Sequence, residues 1–223
     1  MRLLTWNCFR GGIAQRLDRL RPFDADLIAL QECRKPNEDR GDVLWRGTLE
    51  EQGVAIVSTR PALRIEPLAL PADLPATVLP AIVHAPEPFI LINLWALPEP
   101  TYEGFALNAL SMCAVGSSMP MVALGDFNST PILESQRRTS RELVRRLQDQ
   151  FGLVSAYHAH LGVGHGREPH PTFFMNRQEH RPFHIDYCFV PETWASRVVE
   201  VQVGSFAQWT DSDHRPVLID IRS

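Results

Sequence analysis

Short apolar runs that stop on a polar side chain recur along this chain and restrict its fold more than any other feature. Val122-Ala-Leu-Gly-Asp-Phe-Asn128 is the clearest case: an apolar stretch breaks at Gly125 and delivers Asp126 and Asn128 just past its end. Leu3-Leu-Thr-Trp-Asn7 and Leu27-Ile-Ala-Leu-Gln-Glu32 finish in the same way, whereas His184-Ile-Asp-Tyr-Cys-Phe-Val190 opens with an acid. Ser212-Asp213-His214 comes directly before Arg215-Pro-Val-Leu-Ile-Asp-Ile221, whose alternation reads as a closing strand. The pattern predicts separate strand ends converging on one polar set.

Around these runs the periodicity predicts a strand over 2–8, a helix over 12–21 with Ile13, Leu17 and Leu20 on one face, and a strand over 26–31. Residues 53–58, 63–68, 77–84 and 88–96 read as a strand meander punctuated by prolines. Tyr102 to Val115 has helical spacing, a strand follows over 120–125, and Thr139 to Gln150 reads as an amphipathic helix. Strands near 153–157, 171–175, 184–190, 197–203 and 215–221 complete the chain. Strands outnumber helices without strict βαβ alternation, which favours two packed sheets flanked by helices over a doubly wound parallel sheet.

A length of 223 residues with 44% hydrophobic content suits a single domain over 1–223. A net charge of −4 argues against gripping duplex nucleic acid over a broad basic surface. Cys8, Cys33, Cys113 and Cys188 show no CxxC spacing and read as reduced, packed residues. No run reaches the roughly 18 apolar residues of a membrane helix, and 81–97 is interrupted by His84, Pro86, Glu87 and Pro88. A first strand starting at Arg2 leaves no room for a signal peptide, so a cytoplasmic protein with no membrane contact and no obligate protein partner is expected. Gly162, Gly164 and Gly166 fit neither nucleotide fingerprint and read as a flexible hairpin tip.

The polar set has a chemistry. Glu32 is a lone strand-end carboxylate suited to a hard cation, and magnesium, which accepts one or two protein carboxylates and keeps several waters, would be served by Glu32, Asp213 and the amide of Asn7. Cys and His clusters for zinc are missing from these positions. Asp186 accepting the ring N–H of His214 would favour a cationic imidazole. Asp126 would orient or deprotonate a water, and Asn128 would donate to a phosphoryl oxygen or hold that acid. These parts specify hydrolysis of a phosphate ester.

With Thr5-Trp-Asn7, Gln31-Glu32, Gly125-Asp-Phe-Asn128, Ile185-Asp-Tyr187 and Ser212-Asp-His214 in order, the chain resembles the endonuclease/exonuclease/phosphatase superfamily from end to end. The resemblance implies the deoxyribonuclease I-like α/β fold, a four-layer α/β/β/α sandwich of two mainly antiparallel sheets flanked by helices, with the site in the cleft between the sheets. It implies metal-dependent cleavage of phosphodiesters or phosphomonoesters, with Mg2+ as cofactor and Mn2+ as a substitute. Glu32 and Asn7 would then hold the metal, with Asp213 binding or bracing it; Asp126 would activate water, Asn128 would contact phosphate, and His214, oriented by Asp186, would stabilise phosphoryl charge. Pro171-Thr-Phe-Phe174 resembles the family's Thr/Ser-aromatic segment, making Thr172 and Phe173 wall residues.

The departure is at Asn93-Leu-Trp95, where many members carry His or Tyr. An indole donates one hydrogen bond and stacks, but neither accepts a proton nor binds metal. His158, His160, His170 or His184 would be the replacement: in an alternating segment His158 and His160 share a face, and His184 shares that of Asp186. Arg137, Arg138, Arg141, Arg145 and Arg146 could track phosphates, although interleaved Glu142 and Asp149 favour a solvated helix face. Arg34, Lys35, Arg40 and Arg46 fall in a loop that family members often use near substrate. The expected function is a magnesium-dependent nuclease on short or single-stranded DNA or RNA, with Trp95 and Phe173 stacking on bases; a phosphatase of small phosphoesters and a silent nucleic-acid-binding module are the alternatives.

Overall fold

Leu3 packs on one side of the first strand and Leu4 and Trp6 on the other, so this strand needs cover on both faces. The computed structural model, which describes residues 1–38, 41–69, 71–132 and 142–222, supplies it with two sheets packed between helices. The first half of the chain contributes β1 (Arg2–Asn7), β2 (Leu27–Cys33), β3 (Val43–Leu49), β4 (Gln52–Ser58), β5 (Arg64–Pro67), β6 (Val78–His84) and β7 (Phe89–Trp95). The second half contributes β8 (Met121–Asp126), β9 (Leu153–Ser155), β10 (Phe173–Phe174), β11 (Pro182–Phe183), β12 (Asp186–Pro191), β13 (Val198–Val203) and β14 (Val217–Ile221).

One six-stranded sheet has the order β13-β14-β1-β2-β4-β3 and the other β5-β6-β7-β8-β12-β9. All pairings within them are antiparallel except β1 with β2 and β7 with β8. Between the sheets lies a core built from Leu3, Leu27, Ala29, Ile56, Leu79, Leu91, Val122, Leu124 and Ile219. Helix α1 (Ile13–Leu20) covers the outer face of the first sheet through Ile13 and Leu20. Helices α2 (Tyr102–Ala114) and α3 (Leu143–Phe151) cover the second through Phe105, Leu110, Leu143 and Leu147. Thr101 caps α2 by accepting the Gly104 N–H at 3.0 Å, and Gly152, at φ 64°, ends α3. This is the four-layer sandwich expected from the sequence.

The two parallel pairs matter for function because they bring strand C-terminal ends together, the place where α/β sheets gather ligand-binding groups. Asn7, Glu32, Trp95 and Asp126 all sit there.

Several local expectations need correction. The run Val43–Leu49, half-buried over its first five residues, forms the edge strand β3, which lacks a clean apolar alternation because an edge strand shows less of itself to the core. Arg46 therefore lies on a strand, with its guanidinium donating to the Leu74 carbonyl. Residues 156–161 form helix α4 (Ala156–Leu161) instead of prolonging β9, because Ser155 accepts the His158 N–H as an N-cap. Gly162 closes α4 in the left-handed conformation at φ 65°. The strand near 171–175 shrinks to the two residues of β10. Arg40, Arg137, Arg138, Arg141 and the first residues of the helix expected over 139–150 lie outside the described residues. Arg145 pairs with Glu142 and Asp149, as expected of a solvated helix face. Residues 81–97 contribute to β6 and β7, and among the described residues no helix is long and apolar enough to cross a membrane.

Candidate active site

Asn7 closes β1, and its side-chain nitrogen donates to two carboxylates, Glu32 Oε1 at 2.9 Å and Asp126 Oδ2 at 3.0 Å. Only this orientation of the amide is tenable, since its oxygen turned toward two acids would be repelled. Asn7 Oδ1 accepts the Phe9 N–H at 3.2 Å. Asn7 thus bridges the sheets as a donor, and in this arrangement it orients Glu32.

Glu32 has a left-handed backbone, φ 52°, at the irregularity where β2 slips against β4 between Gln31 and Cys33. Behind it, Gln31 donates to Thr5 Oγ1 at 3.0 Å and Asn93 Oδ1 at 2.7 Å. Asn93 in turn donates to the carbonyls of Leu30 and Ala55, so a buried polar chain ties the two sheets beneath the site.

Asp126 ends β8 after Gly125, whose φ is 143°; a Cβ there would lie 1.9 Å from the Leu94 carbonyl oxygen, so β7 approaches too closely for a side chain. Asp126 Oδ1 accepts the Asn128 N–H at 2.9 Å, an Asx turn that holds Asn128 at φ 50°. The Asn128 amide donates to Asp126 Oδ2 at 3.1 Å and to the Ala96 carbonyl at 3.2 Å. Asn128 therefore braces the acid.

Asp186 starts β12 directly opposite Asp126 in the ladder, and its N–H donates to Thr172 Oγ1 at 3.1 Å. Its carboxylate accepts the Nδ1 proton of His214 at 3.0 Å, leaving Nε2 3.8 Å from Asp126 Oδ2. The His214 N–H donates to Ser212 Oγ, which donates to the Asn7 carbonyl at 2.8 Å. Phe173 bridges to His214 across the backbone, with ring centroids 4.7 Å apart. Thr172 accordingly positions Asp186, and Phe173 flanks the imidazole.

Burial, helped by the nearby Asp186 charge, pushes Asp126 up to about 7 against the opposing His214 cation. Burial alone would depress His214, but Asp186 and then Asp126 outweigh it and hold the imidazole at about 10. At neutral pH the centre is a buried imidazolium facing Asp126, an acid balanced near its titration point, with its other nitrogen bonded to Asp186.

The donor set suits a hard divalent cation. Glu32 is a half-buried carboxylate, whereas Asp186 is committed to His214 and both Asp126 and Asp186 are fully buried. Atoms of Asp126, Asp186 and His214 also lie within 4.8 Å of one another. Thiolate ligation is disfavoured because burial raises the Cys8 thiol to about 11 and Cys33 higher than its ordinary value.

Two expected site residues, His184 and His158, are placed differently. The Asp213 carboxylate makes no hydrogen bond among the described residues; its carbonyl accepts the Phe174 N–H, and its charge helps raise His214. His184 is 2% exposed and bonded to the His170 carbonyl, which removes it from contact with substrate. His158 bonds Ser155 Oγ and, at 2.9 Å, Glu168, because α4 turns it into a buried cluster with Tyr157 and Tyr187. His160, two residues along the same helix, points elsewhere, to the Val198 carbonyl. Trp95 stands beside Asp126 in the ladder and packs half-buried against the intersheet core. Arg34 and Lys35 pair with Glu51 and Glu50.

Other site residues gave no sequence signal. Gln52 donates to Glu32 Oε2 at 2.7 Å, and Arg177 lies 4.9 Å over the exposed Phe9 ring. Both contacts join residues distant in sequence.

An imidazolium, an acid titrating near 7 and a half-buried carboxylate, linked through Asn7 at the strand ends, belong to a metal-dependent hydrolase of phosphate esters. The chain belongs to the Endonuclease/Exonuclease/phosphatase family, whose profile matches residues 4–214. Among solved structures it is similar to the 3'-5' exonuclease NExo from Neisseria meningitidis, at 23% identity and a TM-score of 0.70, and to an AP endonuclease from Archaeoglobus fulgidus, at 17% and 0.75. A NExo structure described as a 3' phosphatase bound to product DNA hairpin matches at 22% identity and a TM-score of 0.70. Each of these matches covers 100% of both chains. No curated protein matches.

Proposed function

We propose that this chain is a magnesium-dependent nuclease that hydrolyses phosphodiester bonds of short or single-stranded nucleic acid. The observation that carries the reading is the hydrogen-bonded series from Glu32 through Asn7 to Asp126, closed by the Asp186–His214 pair. Glu32, oriented by Asn7, would hold the metal, which when bound supplies Lewis-acid stabilisation of phosphoryl charge; manganese would substitute. Asp126 takes the proton of the attacking water, a task for which an acid near 7 is suited. His214, kept cationic by Asp186, donates through Nε2 to a phosphoryl oxygen as negative charge develops. Asn128 holds Asp126 at the site.

The substrate class follows from the rim. Phe9 is 44% exposed beside Asn7 and carries the Arg177 guanidinium over its ring; Arg10 is exposed next to it, and Phe173 flanks His214. Aromatic faces and cations so mixed suit unstacked bases and their phosphates, each stacked base contributing about 1–3 kcal/mol. The related NExo structure holds a DNA hairpin product, in keeping with a nucleic-acid substrate. Four free, buried cysteines accord with a reducing, cytoplasmic setting.

Matched single-stranded and duplex oligonucleotides, together with bis-p-nitrophenyl phosphate, test the reading with magnesium, manganese or EDTA and with Glu32→Ala as control. Single strands should be cleaved faster, EDTA and Glu32→Ala should abolish turnover, and Phe9→Ala should raise KM on single strands. Equal rates on both strand forms would remove the substrate assignment; full activity of Glu32→Ala would remove the metal site.

A further inference from the structure

Each oxygen of the Glu32 carboxylate accepts a side-chain amide: Oε1 from Asn7 at 2.9 Å and Oε2 from Gln52 at 2.7 Å. Gln52 is the first residue of β4, just after the turn from β3, and its place is pinned on several sides. A Cβ on the following Gly53 would lie 2.4 Å from the Arg46 carbonyl oxygen, so the backbone there sits tightly against β3. The turn is fastened to the segment after Glu32, with the Lys35 N–H donating to the Glu50 carbonyl at 2.7 Å, Lys35 Nζ 3.3 Å from the Glu50 carboxylate, and Arg34 Nε 3.2 Å from that of Glu51. These contacts join the segment after Glu32 to the turn that leads into Gln52.

We infer that Gln52 is a positioning residue that makes the Glu32 site prefer magnesium over calcium; this rests on the reading of Glu32 as the metal ligand. Magnesium demands near-ideal octahedral geometry, keeps several waters and is satisfied by one carboxylate oxygen. Calcium takes more ligands, and carboxylates often chelate it through both oxygens. A carboxylate has about four lone-pair positions, and the two amides already use one on each oxygen. Contact through a single oxygen leaves the amide on the other oxygen undisturbed. Chelation must use the remaining position on both oxygens at once, each beside an amide donor, so it is crowded by both amides where single-oxygen contact meets one. Removal of the Gln52 donor frees Oε2 and lowers the cost of chelation.

Calorimetric titration of magnesium chloride and calcium chloride into metal-stripped protein tests this, with the parent, Gln52→Met, Gln52→Asn and Glu32→Ala compared. Gln52→Met keeps the length of the side chain without the donor, and Gln52→Asn keeps an amide too short to reach Glu32. The ratio of calcium Kd to magnesium Kd should fall about tenfold in both variants, the scale typical of residues that orient metal ligands. Melting temperatures in EDTA should match the parent, which separates ligand positioning from a folding defect. A parent-like ratio in both Gln52 variants, with binding lost in Glu32→Ala, overturns the role of Gln52 alone. Unchanged binding in Glu32→Ala overturns the metal site and this inference with it.

Discussion

Nε2 of His214 stands 3.8 Å from Oδ2 of Asp126, so one imidazole joins two acids that face each other on neighbouring strands, Asp186 being bonded to its other nitrogen. The ring's charge lets Asp126 ionise near neutrality despite complete burial.

Removing the ring should therefore remove catalysis. His214→Gln is expected to lower kcat about 10²- to 10⁴-fold with little change in KM, the scale of losing a proton-transfer or charge-stabilising group. Steady-state kinetics on a single-stranded oligonucleotide checks this, with circular dichroism confirming the fold.

Asp186 should set the charge of that ring. The His214 pKa of about 10 lies above the ordinary 6.5, so its contribution to stability is complete below 6.5 and disappears as pH rises through about 10. Imidazole 15N resonances in EDTA should show a cationic His214 at pH 8 in the parent. In Asp186→Asn they should show it titrating at lower pH; an unmoved titration would transfer the effect to Asp126.

His184 carries the opposite prediction. Burial lowers it to about 4 from 6.5, so the folded state prefers it neutral. Its neutral form stabilises the fold above pH 6.5, and this is lost as pH falls toward 4, by on the order of 3 kcal/mol. Urea midpoints measured between pH 7 and pH 4.5 should decline more steeply for the parent than for His184→Gln. Glu168, held down at about 2 chiefly by His158 against the cost of burial, loses its contribution only below its ordinary 4.5.

Gly125→Ala should damage stability and site together. Its Cβ would meet the Leu94 carbonyl oxygen at 1.9 Å in a backbone conformation that favours glycine. A loss of more than about 1 kcal/mol in urea denaturation is expected, with reduced kcat because Asp126 follows directly.

Much of the site was legible because its residues close or open strands. Asn7, Glu32, Asp126 and Asp186 stand at or beside the ends of strongly apolar runs, where the last side chain leaves the core. His158 and His184 were misplaced for a common reason. Period alone cannot tell that Ser155 caps a helix, nor which side of β12 faces the cleft and which faces Tyr157 and Tyr187. The edge strand β3 was missed because weak burial leaves weak patterning.

Local sequence determined the strand ends, the glycine before Asp126 in β8, the helix caps and the residue types required for phosphoester chemistry, because each depends on neighbours within a few positions. Tertiary structure alone decided which groups meet: Asn7 with Glu32 and Asp126, Gln52 with Glu32, and Phe9 with Arg177. It also decided the charge states, since burial and the distances among Asp126, Asp186 and His214 raise one acid to about 7 and the imidazole to about 10. These shifts come from desolvation and Coulomb interactions across residues far apart in the chain, which exist only once the two sheets have packed.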